Sequence, residues 1–417
     1  MIRYGAQFSA RVRTRIERAI HEGPTRIATQ LIAATASAVL WVLLAPVTLI
    51  LHLVGFRRLT VIVERIGHLS GEPDSFLKAR ALGLVAPRRY FMLAPKARVA
   101  NRTMLDYWRP HIRVIEHPLA CSVLHAMSGL GLMEHDMSRY VLRLDASQEI
   151  YSVNAMWQNR APLLALSHED FSWSEGKLVE LGLPAGCWFV CVHVREAGFS
   201  PVDDWTHAHR NADPRAVRSA IKEVINRGGW CIRMGDPSMT RLEPMPGVID
   251  YAHHPLRCGR LDVVLCARAK FFLGNTSGLS LVSTVFGVPS ALVNLIPLST
   301  MPYLPGDLGI PKLLRRSRDG GLLTFTEILD SPLGNFRYAR AYSDAGVEVV
   351  ENSSEDILDL VTEMLDRIEG TFVSDPQDEL LQLRFRALLR PGHYGYGAAS
   401  RIGAAFLRKH SSLLPAS

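Results

Sequence analysis

The sequence predicts an α/β protein: two Rossmann-like domains with parallel sheets, preceded by an N-terminal membrane-anchoring helix. Three observations carry that expectation. Through the second half, short and almost wholly apolar runs alternate with helical patterns, as in strands covered by helices on both faces. The chain has 417 residues, 48% of them hydrophobic, which suffices for two cores. Residues 31–51 contain no charge over 21 positions, long enough as helix to match a bilayer core of roughly 30 Å.

Taken in order, residues 1–57 read as a basic amphipathic segment and an anchor. The first 26 residues hold six arginines against two glutamates, so +4 of the net charge of +7 lies there. A cleaved leader is discounted, because the apolar run is long, lies far from the N-terminus and continues into GFRR (55–58) without a small-residue cleavage site. Arginines flank the run on both sides, which pulls both flanks toward the cytoplasm. Pro46 breaks the helix ladder. A monotopic or re-entrant anchor through residues 31–51, with the arginine helix on anionic headgroups, is therefore expected ahead of a plain span. The six cysteines sit mostly in apolar runs, without metal-site or secreted-framework spacing, and read as buried thiols in a reducing compartment.

Residues 58–184 read as the first, acceptor-side domain. LTVIV (59–63), YFMLA (90–94) and IRVI (112–115) are expected strands, with a turn at Gly67 and His68 and helices near 75–84 and 101–109. Further helices are expected around 154–162 and 173–184, leading to a joint near Pro184.

Residues 185–417 read as the second, ligand-binding domain with terminal helices. Strands are expected at 187–194, 230–234, 248–251, 271–274 and 291–295. Asp213 and Pro214 open a helix with Val217, Ile221, Val224 and Ile225 on one face, and Gly228 and Gly229 end it. Helices follow at 261–269, 277–286, 354–369, 378–389 and 399–409. Ligands of such a sheet bind beyond the strand C-termini.

Two strand ends carry the chemistry. CWFVCVHVRE (187–196) brings His193 and Arg195 to the end of a buried strand. A guanidinium fork suits paired phosphate oxygens. The competing structural reading is an ion pair of Arg195 with Glu196, Asp203 or Asp236, and a hydrogen-bonded core histidine for His193. GNTSG (274–278) opens a helix with close-approach glycines, Asn275, the hydroxyls of Thr276 and Ser277, and free amides at Gly278. It is neither a Walker A loop nor a dinucleotide fingerprint. The structural alternative is a serine that caps its own helix. Arg233 and Asp236 in RMGDPSM (233–239) stand on another loop that either reaches the ligand or is a solvated turn. His253 and His254, like His207 and His209, lack a third ligand at helpful spacing, so no metal is expected. A base for deprotonating a hydroxyl is expected at His68 or Asp204, with Glu169 and Asp170 as rivals. Nucleic acid is disfavoured, because the positive charge is concentrated beside an apolar run.

HVRE (193–196), HRNAD (209–213), RGGW (227–230), RMGDPSM (233–239), DYAH (250–253) and FFLGNTSGL (271–279) with FGVP (286–289) together resemble an uncharacterised bacterial family of glycosyltransferases. RIGHL (65–69) and the C-terminal region extend the resemblance to about residues 60–410. That family is distantly similar to GT-B fucosyltransferases, which use a His-x-Arg motif to bind donor diphosphate. The resemblance implies two Rossmann-like domains, the donor in the C-terminal one, and metal-independent transfer. It implies that Arg195 binds donor phosphate and that Thr276, Ser277 and Gly278 line the donor site. The second arginine of fucosyltransferases is missing. The expected reaction is sugar transfer from a nucleotide sugar to a lipid-linked or cell-surface glycan precursor at the cytoplasmic face of a bacterial inner membrane, with no cofactor beyond the donor substrate. A sugar-nucleotide epimerase and a non-catalytic scaffold or nucleotide-sugar sensor are the alternatives.

Overall fold

The computed structural model describes residues 41–129, 131–142, 148–158, 160–198 and 205–415. Asp204, one of the two expected base residues, and positions 31–40 of the apolar run lie outside them. The chain folds as a mixed α/β protein with parallel sheets, in two compact units.

Unit 1 comprises residues 1–60, 88–97 and 112–135. Its sheet contains β1 (Phe56–Leu59), β2 (Arg89–Leu93), β3 (Arg113–Ile115) and β4 (Glu134–His135), in spatial order β3-β2-β1-β4 and parallel throughout. The first strand thus precedes the expected 59–63. Its two arginines are accommodated because Arg58 is buried with partners, its Nη1 donating to Ser128 Oγ at 2.7 Å and facing His125 Nδ1 at 3.2 Å. Burying an arginine is tolerable when its donors are satisfied. Phe91, Leu93, Cys121, Met127 and Met133 form the core of this unit, closed by Leu44 and Leu51 from a helix over 41–53. Among the described residues no helix is long and apolar enough to cross a membrane.

Unit 2 comprises residues 61–87, 98–111 and 136–417. Its seven-stranded sheet holds β5 (Phe189–His193), β6 (Trp230–Arg233), β7 (Val248–Ile249), β8 (Phe272–Gly274), β9 (Ser290–Leu295), β10 (Leu308–Pro311) and, at its edge, β13 (Arg401–Ile402). The strands are parallel in the order β13-β10-β9-β8-β5-β6-β7. From β5 the chain winds outward through β6 to β7, then returns to the other side of β5 and winds through β8, β9 and β10. That is the order of a dinucleotide-binding sheet, and its switch point falls between β5 and β8. A separate hairpin-like pair, β11 (Leu313–Arg316) and β12 (Val347–Val350), is antiparallel.

Several expected elements differ in detail. Gly67 and His68 are not a turn but the start of a helix, Ile66–Ala81. The reason is packing: a Cβ built on Gly67 would lie 2.9 Å from Gly278 Cα, so this helix lies backbone to backbone against helix Gly278–Val285. The terminal helix expected at 399–409 is shortened to Ala404–Lys409 because Arg401 and Ile402 pair with β10. Residues 136–184 group with the C-terminal sheet rather than ending at a joint near Pro184, through bonds such as Tyr151 Oη to the Met301 carbonyl at 2.6 Å. Of the cysteines, Cys121, Cys191, Cys231 and Cys266 are buried, Cys187 is half-buried and Cys258 is exposed.

Candidate functional site

The switch point of the unit 2 sheet brings two loops side by side. His193 closes β5 and pairs in register with Gly274, which closes β8. A side chain at Gly274 would fall on the His193 carbonyl oxygen, so only glycine lets the strands approach here. Asn275 then ties the loops together. Its amide N–H donates to the His193 carbonyl at 3.2 Å, its Oδ1 accepts from the Arg195 backbone N–H at 3.1 Å, and its Nδ2 donates to the Arg210 carbonyl at 3.4 Å. The residue is 1% exposed. Its role is to fix three loops at once rather than to offer a free amide.

The segment over 208–212 crosses this junction and collects cations. Arg195 Nε donates to Asn211 Oδ1 at 3.0 Å, Arg210 Nη2 to the Thr276 carbonyl at 2.8 Å, and Lys312 Nζ to the Asn211 carbonyl at 2.6 Å. Lys312 is 4% exposed, and its nearest carboxylate, Glu351, stands 3.7 Å away. Burial lowers the Lys312 pKa from its usual value, opposed by Glu351. His209 is held down to about 3, by burial first and then by Arg210, His207, Lys312 and Arg195. It is therefore a neutral imidazole in a positive field. A cavity of about 340 Å³ opens beside these groups, lined by His209, Asn211, Lys312, Glu196, Glu351 and small apolar side chains. His209 Nδ1 is buried there without a hydrogen-bond partner.

His193 is likewise kept neutral, by burial first, with Arg233 and Arg195 adding to the effect against the Met234 carbonyl and Asp236. Its Nδ1 lies 3.2 Å from that carbonyl. A carbonyl only accepts, so Nδ1 carries the proton and Nε2 is an acceptor.

Ser277 is the N-cap of helix Gly278–Val285, its hydroxyl and that of Ser280 bonding reciprocally to each other's backbone amides. Thr276 and Ser277 are half-buried at the mouth of that helix. Gly278 is there for packing: a Cβ would lie 2.7 Å from Ile66 Cγ2.

Arg233 lies apart from this cluster in its bonding. It is 3% exposed, and its guanidinium is consumed by Glu196 at 2.8 Å, Asp250 at 3.1 Å and the Thr240 carbonyl at 2.9 Å. Asp236 accepts from the Ser238 amide at 2.9 Å in the loop after β6, a plain turn contact. His253 pairs with Asp250 at 2.9 Å, and Asp170 and Glu169 with Arg260 at 2.6 and 2.8 Å. Among the described residues no three His, Cys, Asp or Glu side chains gather as a metal site.

His68, in the first turn of helix Ile66–Ala81, has Nδ1 2.6 Å from Glu72 Oε1. Glu72 is fully buried, whereas His68 keeps 18% of its side chain exposed. The carboxylate accepts the Nδ1 proton and leaves Nε2 as a base. Because Gly67 packs on Gly278, this pair sits one residue from the contact with the helix that follows β8. Glu72 and Lys312 are the residues that sequence reasoning did not single out, whereas Arg210 and Asn211 entered it only as part of the HRNAD segment (209–213). Glu72 was legible as the i+4 partner of His68 once the segment is read as helix; Lys312, alone between apolar residues, gave no signal.

No known family profile matches the chain, and no curated protein matches it. Solved structures to which parts of the chain are similar include an ADP-heptose lipopolysaccharide heptosyltransferase II of E. coli, at 14% identity over 62% of this chain and 91% of that one, with a TM-score of 0.39. A glycosyl transferase family 9 protein of Veillonella parvula is 11% identical over 60% of this chain and 83% of its own, with a TM-score of 0.38. An iron-containing dodecameric glycosyltransferase of enterotoxigenic E. coli is 14% identical over 60% and 61%, with a TM-score of 0.35.

Proposed function

We propose that the protein is a glycosyltransferase that takes its sugar from a nucleotide-sugar donor bound by unit 2. The observation that carries this reading is the convergence of Arg195, Arg210 and Lys312 on the loops at the β5/β8 switch point, beside a helix N-terminus. Two arginines, a buried lysine beside them and the N-terminal end of the helix suit a diphosphate. In this reading Arg195 holds donor phosphate, the Thr276–Gly278 backbone completes the cradle, and the neutral Nε2 of His193 accepts from a donor hydroxyl. His68, oriented by Glu72, removes the proton from the acceptor hydroxyl as the new glycosidic bond forms and the donor's bond between sugar and phosphate breaks, the nucleotide leaving with its phosphates held by Arg195. Arg233 and Asp236 support the neighbouring loop. The acceptor is a lipid-linked or cell-surface glycan precursor, and residues 31–51 hold the enzyme to the cytoplasmic face of a bacterial inner membrane.

The test is a titration of the full chain with ADP, GDP, UDP, CMP and dTDP, beside Arg195→Ala. Saturable binding of one nucleotide, weakened about 100-fold in the variant, is expected for the loss of a charge-assisted phosphate contact. No binding to any of them by folded protein overturns the donor site. Binding followed by release of an altered free sugar, with no acceptor modified, would replace transfer with epimerisation. Glu72→Gln is expected to lower kcat with little change in KM, since it disturbs the base and not the donor cradle.

A further inference from the structure

In unit 1 the helix over 41–53 turns Leu44, Thr48 and Leu51 inward, yet its outer side is apolar as well. Val42, Leu43, Ile50 and Leu53 are 73, 69, 60 and 71% exposed. A helix hydrophobic all round belongs in a core or in lipid. The apolar surface continues onto two neighbours in the same unit. Trp41 packs on Gly129, His52 meets the Leu132 carbonyl, and helix Pro118–Ser128 adds exposed Leu119 (72%) and Val123. Cations stand at the far edge: Arg57 Nη1 donates to the His52 carbonyl at 3.0 Å, the Arg88 side chain lies where a Cβ on Gly55 would come within 3.6 Å of it, and Arg89 stacks on Phe56 at 5.5 Å. A broad apolar face rimmed by arginines matches the interfacial layer of a membrane carrying negative headgroups.

We infer that this whole face, and not the uncharged run of residues 31–51 alone, lies in the headgroup layer of an anionic bilayer, with Leu119, Val123 and Leu132 in the acyl boundary and Arg57, Arg88 and Arg89 on the phosphates. The inference extends the membrane reading of residues 31–51 and is independent of the sugar-transfer reading. It accounts for side chains beyond the uncharged run, which a simple tether leaves uncovered.

The experiment is flotation of the full chain with vesicles of phosphatidylcholine and with vesicles containing phosphatidylglycerol, beside L119E/V123E and R88E/R89E. Wild-type protein should float with the anionic vesicles and less with the neutral ones. Each double variant should partition at least about 30-fold more weakly, as expected for the lost burial of two large side chains or of two headgroup contacts at about 1 kcal/mol each. Should a variant misfold, a solvatochromic label on Leu119→Cys gives the same answer: a blue shift with anionic vesicles supports the placement. Variants that float like wild type, or a label that does not shift, overturn this surface while leaving a tether through residues 31–51. Wild-type protein that binds neither vesicle overturns both, and a vesicle-indifferent dimer broken by L119E/V123E would assign the face to a second copy of the chain.

Discussion

At the scale of single residues, the site rests on side chains whose charge state is set by burial and by the cations gathered around them. His209 shows this most sharply. Its folded pKa of about 3 lies below the unfolded value near 6.5. The unfolded chain therefore takes up a proton that the folded protein refuses, so the stability His209 contributes is complete above pH 6.5 and is lost as pH falls toward 3. Denaturant titrations of wild type between pH 6.5 and 4 are expected to show a loss of about 1.4 kcal/mol per pH unit from this group; His209→Phe should remove that share of the slope. Gly274 makes a steric prediction. Alanine there meets the His193 carbonyl, and Gly274→Ala should cost about 3 kcal/mol of stability together with nucleotide binding, read by urea denaturation and titration. The glycine was legible in sequence as a place of close approach, but the partner it approaches was not.

At the scale of elements, an ion-pair network joins the loops that follow three neighbouring strands. Arg233 bridges Glu196 and Asp250 across the ends of β5, β6 and β7. Arg233→Met takes the arginine from half-buried Glu196 and leaves Asp250 with His253 alone as its ionic partner, and a loss of about 3 kcal/mol is expected. If Arg233 were instead a phosphate ligand, stability would hold and binding alone would fall, so parallel melting and titration curves separate the two roles. Capping was the most legible level of all. Asp213 caps its helix through the Arg215 amide, as residue type and position imply, and Ser277 caps Gly278–Val285, which the sequence offered as the alternative to a ligand contact. Strand limits were less so. The aliphatic run 59–63 looked like the first strand, yet Phe56–Leu59 pairs instead, where buried Ser128 and the nearby ring of His125 partner Arg58.

For the whole molecule, a nucleotide that binds the folded chain at 100 times its Kd should raise stability by about 2.7 kcal/mol, and Arg195→Ala should show almost none of that gain at the same concentration. Thermal unfolding with and without ligand checks it. The sequence by itself determined the alternation of strand and helix, the order in which strands follow one another and the two loops that carry Arg195 and Asn275, because apolar periodicity and turn chemistry act over a few residues. Tertiary structure alone decided that β8 returns beside β5, that Lys312 and Arg210 join Arg195 at that junction, and that the helix carrying His68 packs through Gly67 on Gly278. Each of those contacts joins segments tens to hundreds of residues apart or depends on which helix face is covered. Long-range packing selects such contacts, and no local pattern encodes them.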